Sequence, residues 1–394
     1  MTNAKTEIKT YKIGADGGNS KLKIVYDGKY TYYDNIYAPN CEIDYKAIKF
    51  TADEMDEYLR NVLNVRFTWH NNKKDKMVQD FLFGNITSAN KKQIQERVNA
   101  DKSDDIMLVM CTLLCSVNFI IENMDENEIE EEMVINLDLS TGLPYHEFVI
   151  PELRQKYAEH YEGEHIIEFK DPRYPVNKIT LNVLDGVKVE SEGVCGLKTI
   201  IEMQDIINEQ TEAEYEETLW SLIDIGGFTT DIMGGIFEKK KRGLVLQTYD
   251  TLGKGINVGV SSAQDAAIEK INSIYKKKLA TFSITRSEVN EAELREGKFN
   301  GVINKYKLNT LDYTTEEYQK LGRSIGNYYI QLYIENGRLL ELEHIYIAGG
   351  GALNDILVES LIGELVKRGI SEDIIEVITE PNPIYLNAVG YYLA

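Results

Sequence analysis

Three glycine-containing segments carry side chains that suit the binding of a polyphosphate. The first segment comprises Asp16, Gly17, Gly18, Asn19, Ser20 and Lys23. The second comprises Asp224, Gly226, Gly227, Phe228, Thr229, Thr230 and Asp231, and the third comprises Gly349, Gly350 and Gly351. Backbone N–H groups in such turns can point together at phosphate oxygens, and glycine lets a ligand approach the backbone closely. Each turn alone is an ordinary hairpin signal, but the three together predict a nucleotide site.

The two aspartates that open the first two segments predict a divalent cation. A carboxylate repels phosphate unless a cation lies between them. Mg²⁺ keeps several of its waters and binds phosphate oxygens directly. We therefore expect Asp16 and Asp224 to hold Mg²⁺ through water. Lys23 could reach back to the phosphates as a point charge.

Alternating apolar residues predict the strands that position these turns. Tyr11–Ala15 and Lys21–Tyr26 read as the two strands of a hairpin that carries the first turn. A second β-rich run ends at Asp224 and resumes at Asp231, about half the chain later. Because the aspartate has the same place in both units, the sequence predicts an internal duplication of a hairpin. The triple glycine follows a predicted strand, His344–Ala348.

Periodicity predicts further elements along the chain. The predicted helices are Thr51–Val65, Asp104–Glu122, Ile256–Ile274, Thr315–Leu339 and Leu353–Lys367. The other predicted strands are Phe81–Gly84 and Met133–Leu139, followed by strand-like residues over Ile166–Glu190. No Pro/Ser-rich linker interrupts the chain, so we expect its two halves to be closely joined.

The charge of the chain argues against direct contact with nucleic acid or with anionic membranes. The chain has 394 residues, 43% of them hydrophobic, and a formal net charge of −21. Such a surface repels both polyanions, whereas it suits a basic protein partner. Two short basic clusters, Glu238–Arg242 and Tyr275–Lys278, read as a solvated turn and a helix end.

The remaining composition indicates a cytoplasmic protein. The four cysteines, Cys41, Cys111, Cys115 and Cys195, lack metal-ligand spacing and read as buried thiols in a reducing compartment. The N-terminal residues are polar and resemble neither a signal peptide nor a membrane-binding helix. The longest apolar run, Ile106–Ile121, is too short to span a membrane.

The three segments resemble the motifs of the actin-like ATPase superfamily, which includes actins, DnaK-type chaperones and sugar kinases. Asp16–Lys23 is similar to the first phosphate loop of that superfamily, Asp224–Asp231 to the second, and Ala348–Ala352 to the adenosine motif. The C-terminal segment Asn387–Tyr392 resembles the second connecting segment. The motifs occur in the expected order over nearly the whole chain.

Within this superfamily the chain resembles bacterial plasmid-segregation actins of the ParM/AlfA type. Thr141–Pro144 ends a strand as in that group, and Val189–Gly196 resembles the first connecting segment, in which a glutamate activates water. Glu190 and Glu192 both fit that role, and Glu192 is favoured because small residues follow it. Lys254 is a candidate contact for the nucleotide base.

The resemblance implies an α/β, actin-like (ribonuclease H-like) duplicated fold. Two domains of two subdomains each would surround a nucleotide cleft. Domain I would comprise residues 10–190, with a C-terminal helix over 382–394 packing back on it, and domain II would comprise residues 191–381.

The resemblance also implies a function. The protein would be an ATPase, with ATP or GTP as substrate and Mg²⁺ as cofactor, that forms dynamic filaments and segregates plasmid DNA. Its partners would be itself and a ParR-like adaptor bound to centromere-like plasmid DNA. The alternatives are a small-molecule kinase of the same superfamily, for which Asp185 is a catalytic candidate without a supporting motif, and a non-polymerising regulatory ATPase.

Overall fold

The computed structural model describes residues 9–39, 45, 55, 58–59, 61–84, 95–96, 101–208, 218–240, 243–277, 279–293, 301–303, 306–379 and 382–394. The chain divides into two compact units, residues 1–195 with 387–394 and residues 196–386. The backbone N–H of Glu192 donates to the carbonyl of Leu143, which also lies in the first unit, at 2.9 Å.

Both units combine strands and helices. The strands are β1 (Thr10–Gly17), β2 (Lys21–Tyr26), β3 (Lys29–Asp34), β4 (Ile36–Pro39), β5 (Val62–His70), β6 (Lys76–Gly84), β7 (Gln95–Glu96), β8 (Glu132–Leu143), β9 (Gly163–Phe169), β10 (Lys178–Val183), β11 (Lys188–Ser191), β12 (Leu219–Ile225), β13 (Thr230–Lys240), β14 (Gly243–Thr248), β15 (Lys254–Ile256), β16 (Val302–Ile303), β17 (Leu308–Asn309), β18 (Leu342–Ala348) and β19 (Ile375–Val377). The described helices are α1 (Ile106–Glu122), α2 (Tyr145–Phe148), α3 (Pro151–Tyr161), α4 (Val194–Asn208), α5 (Val260–Tyr275), α6 (Arg286–Glu293), α7 (Leu311–Glu335), α8 (Asp355–Lys367) and α9 (Leu386–Leu393).

The first unit is built on one sheet of eleven strands. Their order is β3-β2-β1-β8-β10-β9-β5-β6-β4-β7, and β11 also pairs with β8. Strand β8 runs parallel to β1, β10 and β11. The other pairings among the described strands of this sheet are antiparallel. The carboxyl ends of β1, β8 and β11 therefore lie on the same side of the sheet.

Helix α1 forms the centre of the first unit's core. It begins at the side chain of Asp105, which caps it by accepting the N–H of Leu108 at 2.8 Å. Every residue from Leu108 to Ile121 is buried. A helix that is buried around its whole circumference must be enclosed on all sides, and α1 packs against β1 and β2. It thereby supports the strands of the first hairpin.

The C-terminal helix α9 packs against the first unit at two glycines. A Cβ atom at Gly14 would lie 2.4 Å from the carbonyl oxygen of Ala388. One at Gly142 would lie 2.0 Å from the hydroxyl oxygen of Tyr391. Both distances are well below van der Waals contact, so only glycine allows α9 to lie this close to β1 and β8.

The second unit is built on a sheet of six strands. Their order is β14-β13-β12-β18-β19, and β15 pairs with β13. Strand β18 runs parallel to β12 and β19, whereas β12, β13 and β14 are antiparallel neighbours. Helix α7 packs against α5 and α8. The buried core joins these helices to the sheet through residues such as Ile223, Tyr329 and Leu361.

Both units contain the same arrangement of three strands. In the first unit β1 forms a hairpin with β2 and runs parallel to the later strand β8. In the second unit β12 forms a hairpin with β13 and runs parallel to the later strand β18. Asp16 and Asp224 both lie near the end of the first strand of their hairpin. The predicted duplication of a hairpin is therefore confirmed at the level of strand pairing.

The predicted helix over Thr51–Val65 is wrong at its C-terminal end. Residues 62–65 begin strand β5, and most residues before them lie outside the described part of the chain. Leu63, Val65, Phe67 and Trp69 are buried at a spacing of two, which is the period of a strand. The helix prediction grouped Val62 and Leu63 of strand β5 with apolar residues that come before the strand.

Two further findings concern burial and hydropathy. Cys111, Cys115 and Cys195 are buried free thiols, as predicted, and Cys41 lies outside the described residues. Of the helices that the structure describes, none is long and apolar enough to cross a membrane.

Candidate nucleotide-binding site

The first glycine turn is held in place by Asn35, which follows β3. The side chain of Asn35 donates to the carbonyl of Gly18 at 2.9 Å, and its backbone N–H donates to the carbonyl of Ser20 at 2.9 Å. The N–H of Gly18 donates to the carbonyl of Asp16 at 3.0 Å. A Cβ at Gly18 would lie 2.5 Å from the carbonyl oxygen of Lys21, so the turn requires glycine there. Ser20 is exposed.

The remaining predicted members of the first turn lie close by. Gly17 is buried, and a Cβ on it would touch Leu108 of α1 at 3.3 Å. Asn19 is half-buried at the tip. The first turn thus presents a short, backbone-rich edge between Gly17 and Ser20.

A chain of four charged side chains lies beside this turn. Asp16 is only 3% exposed, and its Oδ2 is 2.6 Å from Nζ of Lys23 on β2. Its Oδ1 is 3.8 Å from Nζ of Lys102, which also forms an ion pair with Oε1 of Glu192. Burial opposes the ionisation of Asp16, but Lys23 and Lys102 outweigh it and hold the pKa of Asp16 below its usual value. Asp16 is therefore a carboxylate at neutral pH.

Glu192 is positioned by backbone contacts on both sides. Its N–H donates to Leu143 at the end of β8, and the N–H of Val194 donates to its carbonyl at 2.9 Å. Gly193 has a φ of 75°, a left-handed conformation that favours glycine. The N–H of Gly193 donates to Oδ1 of Asn387 at 3.2 Å. The buried carboxylate of Glu192 is thus fixed where β11 leads into α4.

Of the two candidate glutamates, it is Glu192 that contacts Lys102. Glu190 lies within β11 opposite Gly142 and is half-buried. Glu192 follows the end of the strand and is 8% exposed. The structure therefore brings Glu192, Lys102, Asp16 and Lys23 together within the first unit.

Sequence reasoning missed Lys102 and the residue that holds it, Glu147. The two carboxylate oxygens of Glu147 accept the backbone N–H groups of Lys102 at 3.0 Å and Ser103 at 2.8 Å. Lys102 belongs to a polar stretch with no motif, and Glu147 belongs to the short helix α2. Burial alone identifies them, since Lys102 is 6% exposed and Glu147 is 3% exposed. Charged residues are rarely so deeply buried without a specific partner.

The second glycine turn is joined to the start of helix α5. The carbonyl of Gly226 accepts the N–H of Val260 at 3.1 Å, and that of Gly227 accepts the N–H of Ser261 at 2.7 Å. The turn itself is closed by the N–H of Gly226, which donates to the carbonyl of Thr229 at 2.8 Å. The turn therefore satisfies N–H groups that the first turn of a helix would otherwise leave unpaired.

The side chains of the second turn point in different directions. The Thr229 hydroxyl donates to Asp231 at 3.3 Å. The Thr230 hydroxyl is buried and donates to the carbonyl of Val258 at 2.8 Å, so it braces the backbone instead of facing outward. The guanidinium of Arg286 lies 5.0 Å from the ring centroid of Phe228. Phe228 is thus held against α6.

The triple glycine lies next to Asp224 within the second unit. Ala348 pairs with Asp224 across β18 and β12. A Cβ on Gly349 would lie 2.2 Å from Oδ1 of Asp224, and a Cβ on Gly351 would lie 2.3 Å from the side chain of Ile225. At Gly350 no atom lies within 4 Å of the added Cβ. The structure therefore joins the second and third predicted segments into one glycine-lined surface.

Two weaker candidates lie in less specific surroundings. Lys254 is exposed on β15, opposite Ile232. Asp185 is exposed in the loop before β11 and accepts a hydrogen bond from the side chain of Asn72 at 2.6 Å. Within the described part of the chain, neither residue contacts the charged network around Asp16.

Comparison with known proteins shows a clear structural likeness without a sequence match. No protein-family model matches the sequence, and no curated protein matches it. A 15-stranded ParM filament from Clostridium botulinum is 19% identical, with 98% of this chain and 99% of that chain covered at a TM-score of 0.63. The archaeal actin homolog Ta0583 is 14% identical, with 97% and 98% covered at a TM-score of 0.64. Bacillus thuringiensis ParM with ATP is 16% identical, with 98% and 97% covered at a TM-score of 0.58.

The two sheets and the two hairpins together give the chain an actin-like α/β fold, in which both units repeat one hairpin arrangement. More particularly, the likeness to several ParM structures over about the whole chain identifies the fold as ParM-type.

Proposed function

We propose that this protein binds ATP with Mg²⁺, hydrolyses the γ-phosphate and couples that cycle to the assembly and disassembly of filaments. One observation carries the proposal. The same hairpin, with an aspartate near the end of its first strand and a glycine turn after it, is built once in each unit. The two turns would bind the phosphates of one nucleotide. Bacillus thuringiensis ParM, which shares the fold, was solved with ATP.

The residues present fit Mg²⁺ bound through water. Both oxygens of Asp16 already face cations, Lys23 at 2.6 Å and Lys102 at 3.8 Å. A metal bound directly to Asp16 would compete with Lys23, whereas a metal-bound water could donate to the same carboxylate. When bound, Mg²⁺ would neutralise charge on the phosphate oxygens. Asp224 would have the corresponding role in the second unit.

The hydrolytic step would depend on Glu192. A water oxygen would attack the γ-phosphorus in line with the bridging oxygen, whose bond to phosphorus breaks. The water would pass a proton to the Glu192 carboxylate, and the products would be ADP and inorganic phosphate. Backbone N–H groups around Gly18 and Gly227 and the ammonium of Lys23 would stabilise the charge on the transferred group. The triple glycine would lie against the nucleoside.

Loss of the γ-phosphate would remove the link between the two hairpins and weaken the contacts between subunits of the filament. Filament formation is supported by the likeness to a ParM filament from Clostridium botulinum. In the cell a basic, ParR-like adaptor on plasmid DNA would bind the acidic filament, and the motion would segregate the plasmid. A nucleotide competition assay distinguishes ATP from GTP as the substrate.

A single experiment tests this proposal. Purified protein receives Mg-ATP while light scattering and phosphate release are followed together. The proposal predicts that scattering rises and then falls as phosphate is released. Phosphate release without scattering would instead indicate a non-polymerising regulatory ATPase, and turnover only with an added acceptor would indicate a small-molecule kinase.

Two variants assign the roles. Glu192→Ala should slow phosphate release strongly and leave assembly intact, because it removes the proton acceptor and no nucleotide contact. Asp16→Ala should abolish Mg²⁺-dependent binding. Unchanged hydrolysis in Glu192→Ala would transfer its role to Glu190 or another residue, and normal binding by Asp16→Ala would remove Asp16 from the site.

A further inference from the structure

The side chain of Lys102 contacts the two carboxylates that the proposed reaction needs. Its Nζ forms an ion pair with Oε1 of Glu192 and lies 3.8 Å from Oδ1 of Asp16. The side chain is only 7% exposed. At this depth a charged lysine without carboxylate partners would be strongly destabilised, because burial removes the water that stabilises its charge. Lys102 is therefore the cationic partner that the two carboxylates share.

The ion pair with Lys102 occupies one oxygen of Glu192, the proposed proton acceptor. To take a proton from water, a carboxylate needs an oxygen lone pair directed at that water. The ammonium of Lys102 uses Oε1 for its own hydrogen bond. The charges of Lys23, Lys102, Asp16 and Glu192 cancel, so the cluster is balanced without a ligand. A terminal phosphate adds negative charge beside it and offers the ammonium a stronger partner than one carboxylate.

The backbone around Lys102 is held by two hydrogen bonds to Glu147. Glu147 accepts the N–H groups of Lys102 and Ser103 with its two carboxylate oxygens, at 3.0 and 2.8 Å. Glu147 is itself 3% exposed and lies in α2, directly after the end of β8. Strand β8 also supplies the carbonyl of Leu143 that holds Glu192. One short segment, residues 143–147, thus fixes the main chain of both Lys102 and Glu192.

We propose that the ammonium of Lys102 exchanges its ion pair with Glu192 for one with the terminal phosphate of the bound nucleotide. Glu147 is the positioning residue that sets the reach of this lysine. The transfer frees Glu192 only when a γ-phosphate is present. Hydrolysis thereby depends on an ion-pair exchange within the first unit. This inference rests on the proposed function, because it requires a nucleoside triphosphate beside Asp16.

The test compares four variants for ATP affinity, ADP affinity and single-turnover phosphate release at saturating Mg-ATP. Lys102→Met should bind ATP about 10-fold more weakly, because one charged hydrogen bond to the phosphate is lost, and ADP within about 2-fold of the wild type. Its hydrolysis should fall by about 100-fold, because the charge that develops on the transferred phosphoryl group loses its ammonium partner. Lys102→Arg keeps the positive charge and should recover most of the ATP affinity. Glu147→Gln should slow hydrolysis about 10-fold with both affinities nearly unchanged, since it misplaces the lysine without removing it.

Glu162→Gln is the matched control for Glu147→Gln. Glu162 also accepts two successive backbone N–H groups, those of Gly186 at 2.8 Å and Val187 at 3.2 Å, but it lies outside the charged network. It should leave hydrolysis and both affinities at wild-type values. If Lys102→Met folds poorly, Lys102→Arg and Glu147→Gln still decide the question.

The possible results separate this inference from the proposed function. A wild-type protein that neither binds nor hydrolyses Mg-ATP would refute the proposed function and the inference with it. Wild-type hydrolysis together with an unaltered rate in Lys102→Met would overturn the inference alone. So would equal losses of ATP and ADP affinity in Lys102→Met, or identical kinetics of Glu147→Gln and Glu162→Gln.

Discussion

The substitution Gly349→Ala should strongly destabilise the second unit. Gly349 has a φ of 82° and a ψ of 176°, a backbone region that side chains with a Cβ scarcely enter, and forcing alanine into it costs about 1–3 kcal/mol. The new methyl would also lie 2.2 Å from Oδ1 of Asp224 and 2.6 Å from the carbonyl oxygen of Ile225. Such overlap adds about 1–3 kcal/mol, because the backbone of Ile225 cannot move freely inside β12. The expected loss is therefore about 2–6 kcal/mol.

The neighbouring substitution Gly350→Ala is a matched control for this prediction. Its Cβ would meet no atom within 4 Å, and its backbone does not have a positive φ. We expect a change within about 0.5 kcal/mol, as for an ordinary exposed site. Equilibrium urea unfolding followed by far-ultraviolet circular dichroism measures both variants. If Gly349→Ala unfolded within about 0.5 kcal/mol of the wild type, the inferred strain at this position would be refuted.

The same pair of variants separates folding from ligand contact. Gly350→Ala should stay folded, so any effect on ATP binding reports on the surface beside Gly350. If the nucleoside approaches this surface, the added methyl should weaken ATP binding by about 10-fold, corresponding to overlap of about 1–2 kcal/mol. Unchanged ATP affinity would show that the ligand does not touch Gly350.

Two further predictions concern buried ionisable groups of the first unit. Burial lowers the pKa of His165 from 6.5 to about 4, although the carbonyl of Tyr161 opposes the shift. Since the unfolded chain then binds more protons between these pKa values, stability is full above pH 6.5 and is lost as the pH falls to about 4. Urea unfolding should show that the wild-type protein loses about 2 kcal/mol of unfolding free energy between pH 7 and pH 5, and that His165→Gln lacks this loss. Equal losses in both proteins would contradict this prediction. Lys23→Met should destabilise the folded protein by about 3 kcal/mol, because it removes a partner of buried Asp16. Lys21→Met, at a more exposed ion pair, should cost less than about 1 kcal/mol in the same assay. Similar values for the two variants would contradict the importance of the buried ion pair.

Local sequence signals predicted those parts of the fold that depend on local chemistry. The glycine turns are recognisable by their glycine content and require glycine at positions such as Gly18 and Gly349. In the strands beside them, apolar residues alternate regularly. The apolar run of α1 also predicted a buried helix, because Leu108 to Ile121 include no charged residue. These signals come from residues that are close in sequence.

The remaining features depend on contacts between distant residues. Lys102 meets Glu192, 90 residues later, and no pattern in either segment indicates that pairing. The register of β5 against β9 likewise depends on how all the strands of the sheet pair, and not on either strand alone. At Val62–Val65 a short apolar run fitted a helix and a strand equally well, and burial in the sheet decided it.

In the proposed function, the two aspartate-bearing hairpins bind the phosphates of one magnesium nucleotide. A crystal structure with Mg²⁺ and a non-hydrolysable ATP analogue tests this most directly. We expect one metal ion about 4 Å from carboxylate oxygens of both Asp16 and Asp224, with a water between each pair. It would be contradicted by a nucleotide whose phosphates contact only one of the two turns, or neither.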